Sequence, residues 1–360
     1  MMLKQILKIP LILTALFICL SYPVAQAEKY TFTLHKEFPT EANPSLRVQN
    51  TCGEIKIESH PENKIIIDAF KVVEADNSKK AKRIADEIEV IIEKDDSEVE
   101  IKTKYSSKRS KGFWKGIFGW DGRRPGYVDY HILVPEKIEL NVFSTSGDVI
   151  ISDISGDVEV NATSGDLWIK RIKGNLNLET TSGDVEIFKI EGDVIVQGTS
   201  SDLEIFHITG DVDINSTSGN TSAENVTGLV KIDQTSGDVS LMGIKGNVQA
   251  STSSGDLIIE QMEGGLDLES SSGDVEVQTK TFPQYEYYVK TSSGDIDFSL
   301  PQNSDARIKL KTSSGNIKTK LPLRLHTISR NLLKGELGTG GAEVYLVTSS
   351  GDIELKKDKR

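Results

Sequence analysis

Apolar and polar residues alternate through most of this chain in short runs, and glycines separate the runs. After Gly147 come Val149, Ile151 and Ile154. After Gly165 come Leu167, Ile169 and Ile172, and after Gly183 come Val185, Ile187 and Ile190. Between these runs lie the pairs Val158/Val160, Leu176/Leu178, Val194/Val196 and Val212/Ile214. Alternating β-branched and polar residues over four or five positions predict strands with one buried face.

The runs keep a fixed register. The glycine of Thr-Ser-Gly-Asp and its close variants stands at 147, 165, 183, 219, 237, 255 and 273, in steps of 18, with Ser201 filling the one gap. A second glycine series lies halfway between, at 156, 174, 192, 210, 228, 246 and 264. The unit is therefore a nonapeptide used twice per coil. One coil is strand, tight corner, strand, and it cannot bury its own inward face. Stacking coils at about 4.8 Å completes both the backbone hydrogen bonds and the apolar core. The predicted fold is all-β: a single-stranded parallel β-solenoid (β-helix or β-roll) of about 18-residue coils. It places Val149, Leu167, Val185, Leu203, Val239, Leu257 and Val275 in one interior column, because each has the same offset from its corner.

Towards the C-terminus the spacing lengthens to 21 residues between Gly273, Gly294 and Gly315, then to 36 before Gly351. Pro283, Pro301 and Pro322 predict looped corners there, and 325–341 reads as an excursion before the last strand pair. At the other end, Thr51-Cys52-Gly53-Glu54-Ile55-Lys56-Ile57 follows the repeat, with Cys52 at a Ser position. A strand over Lys64–Val72, a short helix over Ser78–Glu87, and strands over Ile88–Glu93 and Glu98–Lys104 make a small α+β N-terminal cap. The resulting division is 1–27 leader, 28–140 cap, with a basic aromatic loop at 105–127, and 141–360 repeat domain.

The leader is read from Lys4, Lys8, the apolar run Ile9–Leu20 and Ala25-Gln26-Ala27, with cleavage expected before Glu28. Cys19 raises a lipid anchor, but Ile18 stands where a lipoprotein signal needs a small residue. The chain is thus expected free after export, in the periplasm or outside the cell. Losing Lys4 and Lys8 with the leader takes the formal charge from −12 to −14. That balance argues against nucleic acid as a partner. Beyond Cys19 the only cysteine is Cys52, so the mature chain forms no internal disulfide.

The repeated Ser-Gly-Asp-(Val/Ile)-x-Ile signature, the leader and the helix-bearing first third resemble the bacterial adhesin-like family of exported β-strand-repeat proteins, a domain of unknown function. The resemblance spans nearly all of the mature chain. It implies a parallel β-solenoid with a role in adhesion or at the cell envelope, and it supplies no catalytic residues. Some members carry a membrane anchor, and this chain departs from them.

Three sets of residues are candidates for chemistry. Asp148, Asp166, Asp184, Asp202, Asp238, Asp256, Asp274, Asp295 and Asp352 recur at one corner, with Asn220 and Asn316 interrupting. Solvated carboxylates at the coil spacing repel by roughly 0.9 kcal/mol per pair. A ladder like this could hold Ca²⁺, and Asp148, Asp166, Asp184, Asp238, Asp256 and Asp274 are weak metal candidates. The corner lacks the Gly-Gly-x-Gly-x-Asp carbonyls of calcium-binding rolls, so capping of backbone N–H groups is the favoured reading.

The second set is the stretch from Tyr105 to Tyr127. It carries six basic residues, including Lys111, Lys115, Arg123 and Arg124, against Asp121 alone, and interleaves Phe113, Trp114, Phe118 and Trp120. Lys111, Trp114, Lys115, Phe118, Trp120, Arg123 and Arg124 are the partner-binding candidates, for an anionic membrane surface, a glycan or a protein groove. The plain alternative is an insertion packing its aromatics on the solenoid. The third set is a hydroxyl column, Thr145, Thr163, Thr181, Thr199, Thr217, Thr235, Ser253 and Ser271. Structural hydrogen bonding along the corner is expected of it, with ice or glycan binding as the alternative.

Nothing reads as an active site. His35, His60, His131, His207 and His326 never pair at a metal-ligand spacing, and the carboxylates lie in register, as in a scaffold. No catalytic residue, cofactor or strong metal site is assigned. The function expected is a non-catalytic scaffold contacting a cell-envelope component. A cation- or small-ligand-binding envelope-stress module is the alternative, and a glycan-processing enzyme stands last.

Overall fold

In a computed structural model of the protein, the described residues are 28–40, 44–95, 97–105 and 126–358. They form two long sheets of 15 and 16 strands that face each other across one core. From Glu139 to Gln278 the chain alternates strictly between the sheets, one strand in each per coil. Neighbouring strands within a sheet are parallel and offset by 18 residues, as in Leu167↔Val185 and Leu176↔Val194. At the usual strand spacing of about 4.8 Å, the stack is roughly 70 Å long.

The predicted interior column is present. Val149, Leu167, Val185, Leu203, Val239, Leu257 and Val275 pair in one register, none more than 2% exposed. Burying each such side chain contributes about 1.5–3 kcal/mol. The position skipped in that series is Thr221, which is also buried. Its hydroxyl donates to Gln234 Oε1 at 2.8 Å, and Gln234 Nε2 donates to the Gly219 carbonyl at 3.0 Å. The coil survives a polar pair in its core because each polar atom has a partner.

The corners depend on glycine. Gly165 has φ +118°, and a Cβ there would collide with the Gly147 carbonyl of the adjacent coil. Both the backbone angle and the close stacking exclude a side chain.

The chain order is not the stacking order at either end. Strand Ser45–Asn50 lies between Glu98–Tyr105 and Glu139–Ser144. Its partner across the coil, Ile55–His60, lies between Gly126–Pro135 and Val149–Ser155. The first coil is therefore intercalated between two later ones. At the far end Ala342–Ser350 lies between Glu286–Ser293 and Ala306–Thr312, and Ile353–Lys357 between Ile296–Leu300 and Ile317–Thr319. The last coil is likewise intercalated between two earlier ones.

Antiparallel strands finish the ends. Glu28–Pro39 pairs with Lys64–Ala75, which pairs with Gly126–Pro135, and Ile88–Asp95 pairs with Glu98–Tyr105. The helix Ser78–Glu87 packs on Glu28–Pro39, Lys64–Ala75 and Ile88–Asp95 through buried Ala81 and Ala85. Asn77 Oδ1 caps it by accepting the Lys80 N–H at 2.9 Å. At the other end the predicted excursion is a hairpin, Arg324–Ile328 with Leu332–Leu337, laid against Ala306–Thr312. Among the described residues no helix is long and apolar enough to cross a membrane.

Candidate functional site

The regular corners account for the aspartates first. Asp148 Oδ1 accepts the Asp166 N–H at 3.0 Å, and Asp166 Oδ1 accepts that of Asp184 at 3.0 Å. The series resumes at Asp202 and runs through Asn220, Asp238, Asp256, Asp274, Asp295 and Asp352 to Asn316. Each rung spends a side-chain oxygen on the next coil's backbone. Asn replaces Asp without loss because only an acceptor is needed. The Asn316 N–H holds the Asp352 carboxyl below the usual carboxylate range. The opposite corner carries a shorter ladder, Asp157 to Asn175 to Asp193 to Asp211.

One rung is missing, between Asp184 and Asp202. It is missing where Ser201 replaces the glycine, and Ser201 is buried with its hydroxyl unpartnered.

The hydroxyl column behaves differently from its sequence expectation. Thr145, Thr163, Thr181, Thr199 and Thr217 are exposed, and none of their hydroxyls bonds another protein group. The hydroxyls that bond corner carbonyls belong to the residue before: Ser144 to Gly147, Thr180 to Ser182, and Ser216 to Ser218. The reason is strand parity. The preceding residue points inward, where the carbonyls lie, and the threonine points out.

Beside the threonines runs a second outward column, Asn161, Glu179, Gln197, Asn215 and Asp233. The two columns wall a groove of about 610 Å³ that crosses six coils. Ala162 and Gly198 line it between the walls, and Phe143 stands at one end. No Lys, Arg or His lines it.

The opposite sheet carries a second regular column, one not singled out by the sequence pattern above. Asp153, Arg171, Lys189, His207 and Asn225 all have φ near +60°, and Gly243 continues the column at +68°. Each is the extra residue that lets Ile151 and Ile154, three apart, both face inward; the same holds for Ile169 and Ile172. The signal was present in that spacing, since strict alternation would put the two isoleucines on opposite faces. The turned-out side chains interact: Arg171 Nε and Nη2 each reach Asp153 at 2.6 Å, and His207 sits edge-on to Phe188. Arg171 holds the Asp153 carboxyl below its usual range.

The histidines remain apart. His35 meets Asp68 at 2.7 Å, His60 meets the Lys64 carbonyl at 2.7 Å, and His131 meets Glu58 at 3.1 Å. His326 meets Glu336 at 3.4 Å on the C-terminal hairpin. Among the described residues no three His, Cys, Asp or Glu side chains converge as a metal site. Cys52 is a free, half-buried thiol in its corner position.

The partner-binding candidates Lys111, Trp114, Lys115, Phe118, Trp120, Arg123 and Arg124 lie outside the described residues, as does the leader. The described flanks locate the stretch. The chain leaves one sheet at Tyr105 and enters the other at Gly126. The regular coils make that crossing with Thr-Ser-Gly-Asp or a close variant.

The family model Toastrack DUF4097 matches residues 52–250 and again 243–356. No curated protein matches the chain. Among solved structures, a proposed cell adhesion protein of Clostridium sporogenes matches at 11% identity, over 91% of this chain and 100% of that one, with TM-score 0.20. A proposed adhesin of Bacteroides fragilis matches at 12%, over 90% and 97%, with TM-score 0.26. Another, of Parabacteroides merdae, matches at 10%, over 91% and 96%, with TM-score 0.27.

Proposed function

The chain belongs to the Toastrack DUF4097 family, and from that premise we propose that it is an exported, non-catalytic scaffold that binds cell-envelope or surface components along its sides. One observation carries the reading. The repeated carboxylates and amides of the corners are spent on backbone N–H groups, while the outward threonines beside them bond no protein group. The corner oxygens build the stack, and the outward threonine hydroxyls are left for a partner.

The basic, aromatic stretch 105–127 is a second proposed contact, for an anionic surface. The rest of the mature chain is acidic and repels such a partner, so attraction must be local. Each basic side chain near an anionic surface contributes about 1 kcal/mol, and salt weakens it.

The test is co-sedimentation of the mature protein with washed bacterial envelope particles at low and high salt. Saturable pelleting is expected, with the salt-sensitive part lost in a Trp114→Ala/Lys115→Ala/Trp120→Ala variant. A folded protein that stays in the supernatant under both conditions overturns the proposal. If the variant pellets as well as wild type, the stretch is an insertion without a binding role.

A further inference from the structure

The geometry points to the threonine groove as a binding site for an extended, uncharged polysaccharide, an inference that rests on the scaffold reading and names its ligand class. Two walls present polar groups once per coil, about 4.8 Å apart. One wall supplies the hydroxyls of Thr163, Thr181 and Thr199, each able to donate and accept. The other presents Asn161, Glu179, Gln197 and Asn215 in successive coils. Amides again donate and accept, and the carboxylates accept from ligand hydroxyls at stronger than neutral energies.

The lining also says what does not fit. With no cationic side chain in the lining and with Glu179 on the wall, an anionic polymer finds no charge partner along the groove; Asp233, at its far end, is already paired with Lys231 at 3.4 Å. With polar walls, an acyl chain or apolar helix would strand unpaired groups. A peptide strand would need a free sheet edge, and the groove is walled by side chains on interior strands. What remains is a long, neutral, hydroxyl-rich chain running along the stack.

A second observation lies in the coil at the groove's centre. Gly198 leaves its position without a side chain, and Ser216 Oγ lies 3.5 Å from where a Cβ would stand. Ser201 replaces the corner glycine and breaks the aspartate ladder in the same coil. Departures from a repeat this regular concentrate where something other than stacking acts on the residues.

The experiment is affinity electrophoresis of the mature protein through gels containing neutral galactomannan, hydroxyethylcellulose or, as the anionic arm, alginate. A neutral polymer should retard the wild type and alginate should not. Thr181→Val/Thr199→Val keeps shape at exposed sites and removes two hydroxyls, so binding should weaken roughly tenfold. Gln197→Lys, which projects a longer side chain from the wall, should weaken binding as well. Thr209→Val, on the opposite sheet, should bind as wild type. Unchanged melting temperatures verify the fold of each variant.

No retardation by either neutral polymer, equal retardation by alginate, or a double valine variant that binds normally would overturn the inference. Wild type that pellets with envelope particles yet ignores both neutral polymers loses the groove but keeps the scaffold reading. Wild type that does neither loses both.

Discussion

Single side chains in this stack are judged by whether they face in or out, and buried polar ones by whether they find a partner. Tyr130 is buried, and its hydroxyl lies 2.6 Å from Thr103 Oγ1. Burial pushes its pKa up to about 12, and burial likewise pushes Tyr287 up to about 12. In the unfolded chain both titrate near 10. Between about pH 10 and 12 the unfolded state therefore binds fewer protons than the folded one, so stability falls as pH rises. Thermal melts from pH 8 to 11.5 should show this fall, and Tyr130→Phe/Tyr287→Phe should flatten it. At neutral pH that variant should lose about 1 kcal/mol for each of the three hydrogen bonds removed, to Thr103, Lys280 and Phe282. An equal alkaline slope in the variant would place the titration elsewhere. Ile187, fully buried, gives the harsher case. Ile187→Asp should cost on the order of 4 kcal/mol or more and unfold the coils around it, read as lost strand signal in circular dichroism. The interior column was legible in the sequence because one offset from the corner residue, a glycine in six coils and Ser201 in one, repeats seven times. Thr221 and Gln234 were not legible as a core pair. Each alone looks like an outward polar residue, and only the fold brings them to 2.8 Å.

The corner ladder is the element in which sequence reading and structure agree most closely. The favoured reading was capping of backbone N–H groups, and the carboxylates do that from coil to coil. Raising calcium to millimolar levels should therefore move the melting temperature only slightly. A rise of ten degrees or more, reversed by chelator, would show that the free carboxylate oxygens bind the ion cooperatively. Gly165→Ala tests the same element from the backbone side. It forces a Cβ against the preceding coil's Gly147 carbonyl at φ +118° and should cost about 2 kcal/mol or more in a denaturant melt. A neutral result would mean that the corner can relax. The threonine column departs from what its sequence predicts. Its expected role in corner hydrogen bonding belongs to its inward neighbours Ser144, Thr180 and Ser216. A repeat announces that a position is constrained, but which of two adjacent hydroxyls faces the carbonyl depends on strand parity at the bend.

At the scale of the whole molecule, the ends distinguish this stack from a simple solenoid. In an ordinary array the terminal repeat touches one neighbour and can be removed at the cost of its own contacts. Here the last coil, Ala342–Lys357, is held on both sides. Ending the chain at Gly340 should therefore release Ala306–Thr319 as well, and brief proteolysis should cut there while Val149–Gln278 stays intact. Survival of Ala306–Thr319 in that truncation would show that it does not need the inserted coil. The intercalation was not legible in the sequence. The 36-residue gap before Gly351 signalled an excursion, but spacing alone does not tell whether the chain returns beyond the stack or into it. With both ends locked, the long sides are the surfaces left for a partner, and the proposed scaffold binds there without turning anything over. The most direct measurement is size-exclusion chromatography of the mature protein incubated with polysaccharide extracted from bacterial envelopes. The protein should elute with the polymer, and the polymer should keep its original size. Protein and polymer eluting apart, or polymer shortened by the incubation, would contradict it.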